Sequence, residues 1–145
     1  MSELKFLNPD LYPEGFRPHT EGSFGYDLRA NIPEPEYLYP EQILVLPTGV
    51  AIHTQGPAAL VLSRSGLAAK GVFVVNAPGL IDYDYQGEIK VILSNIKTDR
   101  FLINPGDRIA QLVFTTLHTP SFKVVNHFSY KTLRGVDGLG STGTT

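Results

Sequence analysis

The stretch GEIKVILSN, residues 87 to 95, sets Ile89, Val91 and Leu93 on one side of an extended chain and Glu88 and Lys90 on the other. That is the period of a strand with one buried face, because successive side chains leave a pleated backbone in opposite directions. The rest of the chain repeats the signal. Fourteen glycines and eleven prolines punctuate it at short intervals, and the apolar runs between them are rich in Val, Ile, Leu, Phe and Tyr rather than in helix formers. Strands are expected at 26–30, 42–54 with a bend at Pro47 and Gly49, 58–63, 71–76, 87–95, 108–117 and 122–128. The one helical candidate is SGLAAKG, residues 65 to 71, with Ser65 as its cap and Gly71 as its stop. An all-β fold with one short helix follows, closed or double-sheeted, of the jelly-roll or barrel kind.

With 145 residues, 42% hydrophobic and 18% charged, the chain matches one globular domain able to bury a core. Its formal net charge of −2 offers no general attraction to nucleic acid or to an anionic membrane. A polyanion therefore has to be held by a local cluster of positive groups, which suits a small ligand and not a duplex. No cysteine is present, which excludes disulfides, thiolate metal sites and cysteine nucleophiles. The opening MSELKFLNPD lacks a basic segment followed by an apolar run, and no stretch approaches the roughly 20 apolar residues of a membrane span. A soluble cytoplasmic protein is the expectation.

Five stretches carry polar chemistry that strand-making does not require. In GYDLRA, residues 25 to 30, Asp27 and Arg29 interrupt an apolar strand, the pattern of an edge strand with a solvated face. In SRSGLAAKG, residues 63 to 71, Arg64, Ser65 and Gly66 stand at the mouth of the short helix. The first N–H groups of a helix have no internal partner, and a glycine lets an anion approach them; a phosphate site and a plain helix cap with a surface arginine both satisfy this. In NAPGLIDYDYQGEI, residues 76 to 89, strand alternation would put Asp82 and Asp84 on one face and Tyr83 and Tyr85 on the other. Two such carboxylates suit metal binding or general-base work, and solvated turn aspartates are the alternative. An aspartate that follows Leu80 and Ile81 and stands beside two tyrosines is expected to be partly desolvated. In PGDRIAQLVF, residues 105 to 114, Gln111 sits in a run apolar on both faces and needs partners, either backbone or a ligand. Arg108 is a candidate partner for Asp27. The last stretch, RGVDGLGSTGTT at 134 to 145, is glycine-rich with no helix behind it, and a plain disordered end is its simplest reading. His19, His53, His118 and His127 share neither metal spacing nor context and read as incidental.

Taken in order, GYDLRA, SRSGLAAKG, NAPGLIDYDYQGEI, GDRIAQL and RGVDGLGSTG resemble the five ordered motifs of the homotrimeric dUTP pyrophosphatases (dUTPases). The resemblance implies a jelly-roll-like distorted β-barrel that assembles as a homotrimer with active sites between subunits. It implies hydrolysis of dUTP to dUMP and pyrophosphate by Mg2+-assisted attack of water on the α-phosphorus, which removes dUTP and supplies dUMP for thymidylate synthesis. Residues 1–133 would form the β domain, and 134–145 a flexible, swapped lid over a neighbouring subunit's site.

Residue by residue, Asp82 resembles the carboxylate that orients and helps deprotonate the attacking water. Tyr85 is similar to the tyrosine that packs on the deoxyribose and leaves no room for a 2′-hydroxyl. Asn76 and the turn through Gly79, Leu80 and Ile81 correspond to a hairpin that offers main-chain groups to uracil, with Lys90 near the nucleoside. Arg64, Ser65, Gly66 and Gln111 match phosphate contacts, and Asp27 with Arg108 a structural ion pair. In the tail, Arg134 would meet the terminal phosphate, and Gly140 and Ser141 would offer donors. Leu139 stands where many members have a phenylalanine that stacks over uracil, and Asp137 where glycine is common. Magnesium would be held by phosphates and water, with no direct protein ligand. The related dCTP deaminases need a glutamate ten residues past the aspartate; here that position is Ile92, which cannot move protons. A non-catalytic nucleotide binder would have no use for the water-activating carboxylate that Asp82 resembles.

Overall fold

The computed structural model of the chain describes residues 1–136. Its strands are β1 Glu3–Phe6, β2 Tyr26–Arg29, β3 Glu36–Leu38, β4 Ile43–His53, β5 Ala58–Leu62, β6 Val72–Val74, β7 Gly79–Ile81, β8 Glu88–Asn95, β9 Phe101–Ile103 and β10 Arg108–Thr115. The helix α1 covers Ser65–Ala68, and a 3-10 turn covers Pro9–Leu11. The strands make two four-stranded sheets, ordered β1-β4-β8-β6 and β2-β10-β5-β7, and a two-stranded ribbon, β3-β9. Every ladder is antiparallel. The fold is therefore all-β with one short helix, in the double-sheet form; the sheets do not close into one barrel among the described residues.

Strand β8 behaves as its alternation demands. Ile89, Val91 and Leu93 are 0% exposed, while Lys90 faces out. On β4, Leu46 lies opposite Val91 and Leu44 opposite Leu93. The inner faces of both sheets meet in one core that includes Leu28, Val61 and Leu112 from one side and Leu46, Val91 and Leu93 from the other. Each such side chain stabilises the fold by about 1.5–3 kcal/mol through removal from water. The bend in β4 appears as a register shift between Pro47 and Ala51. Gly49 takes a φ of +73°, which only glycine adopts without strain, and its N–H donates to Glu88 Oε1 at 2.8 Å. Beyond the bend the strand continues and pairs with β1, with Phe6 opposite Val50.

Several expectations need correction. FKVVNHF, residues 122 to 128, forms no strand in this chain, and its residues are exposed. Alternation marks a segment that wants a buried face, but a strand also needs a partner to pair with, and this segment joins none of the described strands. The ribbon strands β3 and β9 escaped notice because three residues carry too little periodicity, although Leu38 and Ile103 are fully buried. The helix is shorter than expected and its N-cap is Arg64, in an extended conformation and without a side-chain cap bond, so Ser65 is the first helical residue and not the cap. No helix among the described residues is long and apolar enough to cross a membrane.

Candidate active site

The register of β10 assembles a charged corner. Gln111 lies opposite Asp27 on β2 and opposite Leu62 on β5, so the chain leaving β5 at residues 63–66 emerges beside Asp27. Arg64 Nε lies 3.0 Å from Asp27 Oδ1, and Arg108 Nη1 lies 3.4 Å from Asp27 Oδ2. Arg64 Nη1 also donates to Arg108 O at 3.0 Å. Asp27 is thus shared between two arginines, and Arg64, read from sequence as a phosphate contact, makes the shorter of the two ion-pair contacts. One carboxylate against two guanidiniums leaves the corner positive, which favours an anion.

Gln111 is tied to backbone, its Nε2 donating to Ser63 O at 2.9 Å. Its Oε1 occupies the place a side chain on Gly25 would take, 2.5 Å from where that Cβ would stand. At the helix mouth, the N–H groups of Leu67 and Ala68 donate to Arg64 O, so Ser65 and Gly66 precede the first intrahelical bonds. A Cβ added to Gly66 would meet nothing within 4 Å; the fold itself does not call for glycine there. Asp27, Arg64, Ser65, Gly66, Arg108 and Gln111 line a cleft of about 360 Å³ together with His19, Ser23, Phe24 and Gly25. His19 is therefore not incidental in position. Its only signal in the sequence was nearness to GYDLRA along the chain.

A second corner lies on the other side of β5. There Ile81 is opposite Ala59 and Gly79 opposite Val61. Strand β7 does not pair with β8, so the expected hairpin is corrected: Gly79, Leu80 and Ile81 form the edge strand of one sheet, and residues 82–87 carry the chain across to the other. The crossing explains why alternation fails. Tyr85 N–H donates to Asp82 O at 3.1 Å, closing a turn, and both Asp82 and Asp84 are exposed rather than partly desolvated. Tyr85 O–H donates to Glu88 O at 3.1 Å. The Asn76 amide lies beside Gly79, with Nδ2 3.0 Å from where a Gly79 Cβ would stand. Lys90 projects from β8 opposite Pro47.

Asp82 and the Arg64 cleft do not meet within one chain. Because β7 runs antiparallel to β5, Asp82 lies near the start of β5, whereas Arg64 follows its end. At ~3.3 Å per strand residue, the separation along the strand is on the order of 20 Å. Arg134 lies in an exposed segment where Gly135 N–H donates to Thr132 O at 3.2 Å. Leu139, Gly140 and Ser141, with Asp137, lie outside the described residues. Among the described residues, no three His, Asp or Glu side chains gather as a metal cage.

A double-sheeted β protein with a cationic cleft, and a projecting strand edge that ends in a carboxylate, has the parts of a nucleotide-handling protein. A family profile described as dUTPase matches residues 13–143. The deoxyuridine 5′-triphosphate nucleotidohydrolase of Legionella pneumophila (strain Paris) is 50% identical over 127 residues, 86% of this chain and 83% of its own length. That of Chlamydia muridarum is 45% identical over 126 residues, 86% of this chain and 87% of its own. The chain belongs to the dUTPase family. Among solved structures, the dUTPase of Staphylococcus bacteriophage 80alpha with dUpNHpp matches with a TM-score of 0.80 at 26% identity, covering 99% of this chain and 98% of that one. A mutant dUTPase of phage phi11 of S. aureus, which coordinates a structural Mg(II) ion, shares the fold with a TM-score of 0.77 at 23% identity, covering 90% of this chain and 99% of its own.

Proposed function

We propose that this chain hydrolyses dUTP to dUMP and pyrophosphate in the cytoplasm, removing dUTP and supplying dUMP for thymidylate synthesis, at sites formed between the subunits of a homotrimer. The observation that carries the shared-site reading is the separation of Asp82 from the Arg64 cleft along β5. A general base must stand within about 3 Å of the proton it takes, directly or through one water. A carboxylate on the order of 20 Å away along the strand does not serve its own chain's cleft, but can serve a neighbour's. The exposed alternating segment with Phe122, Val124 and Phe128 supports assembly, since a neighbour would provide the sheet that it lacks here.

The triphosphate lies in the cleft, held by Arg64, by the amides of Ser65 and Gly66, and by Gln111. Open space at Gly66 supports this, because it leaves ligand approach as the use of that glycine. Strand β7 is an edge, so on alternate residues its backbone N–H and C=O groups point away from β5 and are open to a ligand. Uracil, with one N–H between two carbonyls, is complementary to such an edge, and Asn76 and Lys90 flank it. Tyr85 packs on the deoxyribose.

Asp82 of a neighbouring copy orients a water and takes its proton as the oxygen bonds to the α-phosphorus. The bond from that phosphorus to the bridging oxygen breaks, and pyrophosphate leaves against the positive charge of Arg64. The Asp27–Arg108 pair lies beneath as support. With no covalent step, rate comes from positioning and charge neutralisation. The substrate is taken as its Mg2+ complex, in which the ion, held by phosphates and water, would neutralise charge on the triphosphate. Arg134 meets the terminal phosphate, while the contacts expected of Leu139, Gly140 and Ser141 lie outside the described residues. Pyrophosphate release from dUTP with magnesium tests the reading. Asp82→Asn is expected to lower kcat by roughly 10²–10⁴-fold and leave binding of a non-hydrolysable analogue near wild type. An inert wild type, or a variant as fast as wild type, refutes it.

A further inference from the structure

Gly87 lies between the turn that ends at Tyr85 and the start of β8. Its φ is outside the left-handed region, so backbone conformation does not call for glycine. Space does. A Cβ at residue 87 would stand 2.5 Å from Tyr85 Cζ and 2.9 Å from Cε2, with the hydroxyl oxygen closer still. The phenol end of the tyrosine ring therefore lies against Gly87, and its O–H donates to Glu88 O at 3.1 Å. Glu88 is itself anchored, because its Oε1 accepts the Gly49 N–H at 2.8 Å from the bend of β4. The ring rests on fixed backbone on one side and, at 45% exposure, is open on the other.

We infer that Gly87 is a positioning residue for Tyr85: by carrying no side chain, it lets the ring seat against the start of β8 and so sets the wall that reads the sugar. This rests on the nucleoside role proposed for Tyr85. The geometry adds a part that the ring cannot supply alone, since discrimination by a clash works only if the wall does not yield. An alanine at 87 lifts the ring off its seat, and it does so at little cost to the fold, because the atoms it meets belong to the far end of a half-exposed side chain.

The test is a double-mutant cycle read on dUTP and UTP in the full-length enzyme. Gly87→Ala is expected to lower the ratio of kcat/KM for dUTP over UTP by roughly tenfold or more. The change should fall mainly on KM, since Tyr85 faces the sugar and not the phosphorus, with the thermal midpoint close to wild type. In a Tyr85→Ala background the same substitution should change the ratio by less than about twofold, because the residue through which it acts is gone. Equal losses in both backgrounds, or an unchanged ratio in Gly87→Ala, overturn the inference. Should Gly87→Ala fail to fold, Tyr85→Phe removes the tie to Glu88 O and leaves the ring; a severalfold fall in the ratio then upholds the seat, and no change refutes it. A wild type inert toward dUTP defeats the proposed activity instead. Positioning is then decided by the ring resonance of 13C-labelled Tyr85, which Gly87→Ala must shift if the inference is right and leaves in place if it is wrong.

Discussion

The two ends of β5 carry two corners built on opposite rules. At one end, Arg64, Asp27, Arg108 and Gln111 are interlocked by ion pairs and by bonds to backbone carbonyls, so the charges converge before any ligand arrives. At the other, Asp82 and Tyr85 hang on a turn beyond an edge strand, and the close approach at Gly87 decides where the Tyr85 side chain rests. Phosphate recognition needs only convergent charge, which a single chain can preassemble. Reading a base and a sugar needs walls, and an edge supplies one wall until another surface faces it.

The largest effect that can break this comparison comes from mixing variants. Asp82→Asn and Arg64→Ala are each expected to be nearly inactive in the pyrophosphate assay. Dissociated and reassembled together, they should regain roughly a quarter of the wild-type rate, the share of sites that draw each half from an intact copy. A mixture no faster than its components would mean that both halves serve one chain. Sedimentation of the wild type as a trimer is expected alongside.

A smaller effect separates charge from shape. Asp27→Asn removes the carboxylate common to both arginines and should lower unfolding stability by about 1–2 kcal/mol, a modest figure because the three side chains are 26–41% exposed. Denaturation at high salt should shrink the difference, since the pair is screened. A loss that ignores salt would mean that the corner is held by packing.

The smallest effect probes the neutral tie behind the charged corner. Tyr12 O–H donates to Thr48 O at 2.8 Å, and its oxygen accepts the Arg29 N–H at 3.1 Å. Tyr12→Phe should cost about 1 kcal/mol, with no salt dependence. Burial pushes the Tyr12 hydroxyl above its ordinary value of 10.0. The folded value being the higher, its contribution to stability is whole below pH 10.0 and declines as pH rises through the folded value. Tyr12→Phe should flatten that alkaline decline in a stability profile; an unchanged slope would remove Tyr12 from the account.

Much of the fold was legible because the inner strands alternate strongly, and β8 and the bent β4 were recognisable from residue type alone. Short strands were not. In β3 and β9 one buried residue each, Leu38 and Ile103, is all that packing requires, and one residue has no period. FKVVNHF misled in the opposite direction, with a period and no strand partner among the described residues. Among the site residues, Arg64, Ser65, Gly66 and Gln111 were singled out from unmet hydrogen-bonding and charge, and they do line one cleft. His19 and Gly25 were missed, since neither carries a local signal of the chain folding back over Asp27.

The sequence by itself determined which segments want a buried face, which backbone positions tolerate a bend, and which side chains bring charge, because these depend on a residue and its near neighbours. Only the tertiary structure decided which edge each strand joined. The sharing of Asp27 between Arg64 and Arg108, the crossing of residues 82–87 between sheets, and the distance from Asp82 to the cleft all follow from that choice. Strand pairing is set by packing across the whole core, so Arg64 and Asp82, which both follow β5 in the sequence, stand toward opposite ends of that strand.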